Sequence, residues 1–459
     1  MLHLRRGVSF ASKFKLVKQK LKLIKIKKMK NFRFSNKLLM GATIAMAMSV
    51  SFSSCSDDDE DDDTTPTGKV ETTRFITADE TWAGDEIHVL DKRTIVTDGA
   101  TLTIEPGAIV KGEPGSESDA KPLIIAQGAK IMAKGTAAKP IIFTSSSDNI
   151  AVGQITGTNN DENTRGQWAG LIILGRAPIS PSAGITARIE GIPPTVTEGI
   201  YGGNDPADNS GVLEYVSIRH GGVELVPGGG NEINGLTLGG VGSGTTISHI
   251  EVVANLDDGI EWFGGTVDVS NAIVGYQGDD AFDIDQAYSG TITNIAYIAG
   301  LDSDHALEID GPEGSANSNG AFTMTAGYLQ GNPDPGSGEF ADFRSNAKGN
   351  VNNLYFFNFK EGADVELDAD DLDDDDRVSS NYNSGVLSME DCVFNTDPFT
   401  VTLEDIASDK LASPIAGFDF DAEFAANNSL SSTAPSNGFV KAEFTGWTWF
   451  DANGELSQF

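Results

Sequence analysis

The sequence predicts an all-β chain wound into a right-handed parallel β-helix, a single-stranded solenoid with loop excursions and a C-terminal cap. Three observations lead there. After residue 70 no long stretch repeats its apolar residues every 3.6 positions. Short apolar runs appear instead, such as Thr101–Ile104, Leu123–Ile125, Ile141–Phe143 and Leu171–Leu174, each closed off by Gly, Asn, Asp or Pro. The runs recur: Ile247–Ile250, Val269–Ile273 and Ile292–Ile295 begin 22 and 23 residues apart, and Val351–Leu354 has the same pattern. A second motif follows each at its own offset, in Asp257–Glu261, Asp279–Asp283, Asp304–Glu308 and Gly362–Glu366. Self-similarity at about this period marks a solenoid whose coils hide their apolar side only against neighbouring coils.

The coils are expected over residues 71–424. Residues 181–212, 223–246 and 368–384 break the rhythm with Pro, Gly and an Asp-rich run and read as loops leaving the stack. Residues 425–459, with Trp447 and Trp449, are expected to cap the open end, where bare strand edges would pair with other chains.

The 459-residue chain has 32 basic and 67 acidic residues. Thirteen of the basic ones fall in residues 1–54, which hold no acid, so the remainder carries 19 against 67, a net charge of −48. Such a body does not suit nucleic acid, whose binding rests on neutralising phosphates. It suits a solvated surface, divalent cations, or a neutral or cationic partner. Two cysteines, Cys55 and Cys392, make no disulfide framework. Cys392 sits in a strand-like run and reads as a buried, inert thiol.

Residues 29–54 have a charged start at Met29–Arg33, a short apolar run from Leu38 to Val50, and a small-residue end before Cys55. That is the pattern of a secretory leader. Residues 1–28 are Lys-rich without such logic, and translation is expected to begin at Met29. Ser51–Cys55 resembles a bacterial lipobox, with Phe52 where Leu is commonest; the resemblance implies cleavage before Cys55 and acylation of its thiol. Ser56–Asp63 resembles the Ser/Asp-rich tag that sends Bacteroidetes lipoproteins to the outer face of the outer membrane. Residues 55–70 would then be an acidic tether, and lipid would hold the protein without a transmembrane helix.

Strand side chains alternate between the two faces. Ile260, Phe282, Leu307 and Val365 are therefore expected inside, together with Trp262, Ile284, Ile309 and Leu367. Glu261, Asp283, Glu308, Asp342 and Glu366 would face outward as one column, and Asp285, Asp310, Arg344 and Asp368 as a second. Parallel strands lie about 4.8 Å apart, and like charges in register are destabilising. Solvent, raised pKa values, Arg344 or a cation must relieve them. Oxygen donors at this density suit Ca²⁺, and Asp258, with Asp257, Asp279, Asp280, Asp302 and Asp304 in the preceding turns, offers more.

Gly99–Gly107, Gly135–Ser145, Gly166–Arg176 and the ending Gly446–Asp451 resemble a Bacteroidetes family of parallel β-helix surface lipoproteins. That resemblance implies fold and location and no established activity. Asn255–Asp257, Gly278–Asp280, His305 and Arg344 resemble, in order, the residues of polygalacturonases, at intervals of 22, 25 and 39. The resemblance implies Asp280 as general acid, Asp257 and Asp279 holding the attacking water, His305 assisting and Arg344 gripping a uronate. His305 lies between Asp304 and Ala306 where that family has glycines, and Ser345–Asn346 replaces its lysine. His220 ends a strand and reads as a satisfied structural histidine; no Cys or His spacing suggests zinc. Two functions remain: a surface scaffold binding glycans, cations or a partner protein, and a polysaccharide hydrolase or lyase. Fold does not separate them.

Overall fold

The computed structural model describes residues 73–116, 119–224, 232–334, 336–368, 377–409 and 417–459. The leader, Cys55, the tether and Asp370–Asp376 lie outside the described residues.

The chain coils as a parallel β-helix. One face is a parallel sheet of 11 strands, here the front sheet, which runs from Thr73–Ile76 through Ile260–Phe263, Phe282–Asp285, His305–Ile309, Glu339–Arg344 and Val365–Asp368 to Ala407–Asp409. The other faces belong to one 15-stranded back sheet whose long strands bend at mid-length. In Thr246–Val253, Val269–Gly275, Thr291–Ile298 and Gly349–Phe357 the bend falls at His249, Asn271, Asn294 and Asn353, with φ between 53° and 57°. The register skips these residues. A left-handed φ costs most residues with a Cβ steric strain, and asparagine is among those that tolerate it best. The side chains stack at this corner, where Asn294 Nδ2 donates to Asn271 Oδ1 at 2.6 Å.

The core is the column the alternation foretells. Ile260, Phe282, Leu307, Ala341 and Val365 pair in register, as do Trp262, Ile284, Ile309, Phe343 and Leu367. All are fully buried. Each large one contributes roughly 1.5–3 kcal/mol through burial, and each layer is sealed only by the next.

Three details differ from the sequence expectation. Residues 223–246 do not all leave the stack: Leu236–Gly239 is a front-sheet strand between Leu171–Leu174 and Ile260–Phe263. Its glycine-rich flanks hide the alternation, and they are there because the backbone packs tightly; a Cβ on Gly235 would come within 2.5 Å of Val252. Residues 181–212 do form an excursion, but its last two residues already begin the strand Gly211–Arg219. The open end is closed not by Trp447 and Trp449 but by the short helices Leu403–Ile406 and Phe420–Asn427, with Phe424 against Phe394 at 5.5 Å.

Residues 437–459 instead form a strap along the bend of the back sheet. Asn437 Nδ2 donates to Asn353 O at 2.7 Å, and Val440 N to Asn294 Oδ1 at 2.7 Å. Glu443 Oε2 lies 3.0 Å from His249 Nε2. Trp447 meets Tyr215 edge-on at 5.5 Å. Both tryptophans are buried among the aromatic rings of this corner, Trp449 meeting Tyr276 edge-on at 6.1 Å.

Candidate functional site

The outer face of the front sheet changes character along its length. Its outward column reads Ile95, Ile124, Ile172, Thr237, then Glu261, Asp283, Glu308, Asp342, Glu366 and finally Ser408. The excursion after Leu174 folds back over the isoleucines with Ile179, Ile189, Ile192 and Tyr201 and buries them in one apolar cluster. Beyond Thr237 the same slot holds carboxylates. Asp285, Asp310, Arg344 and Asp368 follow two residues on as the second column.

The acids do not stand on a solvated ridge. Glu261, Asp283 and Asp342 are 7%, 8% and 5% exposed. Excursions overhang them: Gln286 Nε2 donates to Glu313 Oε1 at 2.6 Å, Tyr201 Oη donates to Gln286 Oε1 at 3.2 Å, and Glu190 adds its charge beside Glu261. Burial penalises the charged form. Burial first, and then neighbouring acids, hold the carboxyls of Asp258, Glu261, Asp283 and Asp285 well above the usual range. Burial and Asp280 push Glu308 up to about 9 against the opposing pull of Arg344. Burial pushes Asp342 up to about 7, although His305 and Arg344 oppose it.

Carboxylate oxygens of Asp258, Glu261 and Asp283 lie within 4.8 Å of one another, as do those of Asp283, Glu308 and Asp310, and of Asp342, Glu366 and Asp368. Arg344 answers part of this charge, with Nη1 2.5 Å from Glu308 and Nε 2.7 Å from Asp310. Asp283 Oδ1 and Asp342 Oδ1 are buried and find no hydrogen-bond donor among the described residues. Nearly all buried polar atoms in folded proteins have a partner, so an unpaired carboxylate oxygen among other acids is an expensive feature.

The turn residues have a different role. Asp258 Oδ1 accepts the Asp280 N–H at 2.9 Å. Asp280 Oδ1 accepts the His305 N–H at 2.6 Å and lies 2.9 Å from His305 Nδ1. Each turn carboxylate thus caps the turn of the next coil. Burial alone lowers the His305 imidazole, but Asp280, Asp304 and Asp342 outweigh it and raise it to about 10. Asp257 and Asp279 gather with Asp258, and Asp280 and His305 gather with Glu308. Arg344 turns toward Glu308 and Asp310.

Sequence reasoning missed Asn234, whose Nδ2 donates to Glu261 Oε2 and whose Oδ1 is buried without a partner. It lies at the edge of the strand hidden among glycines. Glu190 and Glu313 come from excursions, and no spacing announced them. His220 is satisfied, with Nδ1 2.8 Å from Thr164 O, and burial lowers it to about 4. Cys392 is buried, which pushes its thiol up to about 12.

Among known families, the model for a pectate-lyase-like β-helix domain matches residues 74–448. The chain belongs to that family. No curated protein and no solved structure matches it. For this pectate-lyase-like β-helix the match covers the described stack from Arg74 onward and about half of the strap.

The charge balance dictates a pH response. The fold favours the neutral forms of Asp342 and Glu308, so their cost is absent below the ordinary carboxylate values, grows as pH rises above them, and is complete above about 7 and about 9. The raised imidazole of His305 stabilises fully below its ordinary value, and that contribution fades as pH rises toward about 10. Both effects have one sign. In a chelator, the melting temperature followed by circular dichroism is expected to fall steadily from about pH 5 to about pH 9; a flat or rising profile contradicts the buried column.

Proposed function

We propose that the protein is a lipid-anchored lipoprotein of the outer membrane, facing the cell exterior, whose β-helix is a binding scaffold and whose front-sheet acids take divalent cations, Ca²⁺ foremost. Asp283 carries the cation reading. It belongs to two of the three-carboxylate groups, is 8% exposed, and leaves Oδ1 without a donor. Ca²⁺ binds oxygen at 2.3–2.6 Å, so two oxygens on one ion lie at most about 5 Å apart. The grouping within 4.8 Å meets that limit. The donors are carboxylates with the Asn234 amide oxygen nearby and no thiolate, which suits a hard cation. Cation charge would replace the protons that the raised carboxyls otherwise hold. An ion with open coordination positions would then let this acidic wall hold an acidic glycan or the carboxylates of a partner protein, which its own charge repels.

The hydrolase or lyase alternative has less support. Asp258 and Asp280 spend carboxylate oxygens on backbone N–H groups of the next coil, as ladder caps do. The location rests on the leader pattern, Cys55 and the acidic stretch after it, and on the resemblance to Bacteroidetes β-helix lipoproteins.

Two experiments test these proposals. Adding Ca²⁺ to chelator-treated protein is expected to raise the melting temperature, with about 2.7 kcal/mol gained at a hundredfold excess over Kd. Asp283→Asn should remove most of that gain. No shift in the wild type, or an equal shift in the variant, overturns the cation reading. For the anchor, Cys55→Ala should leave the membrane fraction of the producing cell and lose incorporated acyl label; retention of both refutes it.

A further inference from the structure

The strap and the first coils share one corner of the β-helix. The strap descends the left-handed bend from Asn353 to Asn294 to His249 and reaches Trp447 beside Tyr215. It then turns back, and Phe450 N donates to Glu251 Oε1 at 3.1 Å. Below Tyr215 the same corner continues. Lys134 pairs with Glu214 and Ile141 with Val216, so the turn between them lies directly under Tyr215. The turns at Glu105–Ala108 and Ala83–Glu86 come next.

Here no strap covers the corner among the described residues, and a groove of about 850 Å³ opens. Ile109, Ile142 and Pro140 lie along its floor, and Val152 and Ile155 of the excursion after Ser145 line it. Ile87 pairs in register with Ile109 and extends the floor to the first coil. Ile87, Val89 and Val152 are 43%, 50% and 41% exposed, large values for apolar side chains. Exposed apolar side chains in and beside a groove of this size mark an interaction site.

Groove and strap also share a buried support. Arg219 Nη1 donates to Ile155 O at 2.5 Å, and Arg219 pairs at 3.4 Å with Glu251, the residue that receives the Phe450 N–H. Both side chains are fully buried. One ion pair therefore holds the groove wall and the strap's turning point.

We infer that the groove is a docking site for an extended segment of a partner protein that carries bulky apolar side chains flanked by basic residues. The apolar part follows from continuity. Coils further along fill this corner with a peptide whose Phe439, Trp447 and Phe450 plug it. The basic part follows from charge. The rim carries Asp85 and Glu105 against Lys139, and the chain beyond residue 54 carries −48. That field repels a second copy of this chain and any acidic segment, and steers a basic one inward.

The test uses the wild-type protein and a fluorescent twelve-residue peptide of alternating Trp and Lys, read by anisotropy. A peptide with Glu for Lys is the charge control. The double variant Ile87→Asn, Val152→Asn alters only exposed side chains and no charge, and circular dichroism checks its fold. Asp283→Asn controls for attraction by the front-sheet acids. The expected result is saturable binding of the Lys peptide, at least tenfold weaker in the double variant and unchanged in Asp283→Asn, with the Glu peptide not binding. Absence of binding overturns the inference. So does equal binding by the double variant, or loss in Asp283→Asn alone, which would assign the attraction to the acidic column. A dimer seen by light scattering that the double variant breaks would give the groove to a second copy and overturn it as well.

Discussion

Every property of this protein depends on parallel stacking in register. A parallel strand sets each residue beside its counterpart one coil away, about 4.8 Å distant. Whatever a position holds is therefore repeated along the axis. Inside, repetition makes Ile260, Phe282, Leu307, Ala341 and Val365 a continuous apolar column. At the corner it stacks asparagines that accept a left-handed backbone. On the front face it does something costly, setting carboxylate beside carboxylate.

That cost is unequal along the face. Where the slot holds Ile95, Ile124 and Ile172, an excursion seals it with apolar side chains. Where it holds Glu261, Asp283 and Asp342, excursions overhang it and withhold the water that would screen the charges. A buried charge needs a partner. Arg344 supplies one cation for the middle of the column, and Asp258 and Asp280 accept backbone N–H groups of the next coil. Asp283 Oδ1 and Asp342 Oδ1 are left out of this accounting. A fold that needed only solubility would leave such acids in water, as it leaves Asp279 and Asp302.

The coils and the column were legible in the sequence, because both follow from local alternation and a period near two dozen residues. Leu236–Gly239 was not, since glycine carries no apolar signal even where the backbone needs it most. The strap was not legible for another reason. Its contacts, such as Phe450 with Glu251, join residues 199 apart, and no local pattern says which corner a tryptophan will find. The site was half legible for the same cause: its front-sheet acids repeat with the coil, whereas Asn234, Glu190 and Glu313 reach it from irregular segments. Of the residues in the order shared with polygalacturonases, Asp280 accepts the His305 N–H of the next coil, and Arg344 pairs with Glu308 and Asp310.

The most direct measurement is anomalous diffraction from crystals equilibrated with Tb³⁺, which takes the same oxygen donors as Ca²⁺. A peak about 2.3–2.6 Å from the carboxylate oxygens of Asp258, Glu261 and Asp283 is the predicted result. Peaks confined to exposed acids such as Asp279 or Asp302, with the buried column empty, would contradict it.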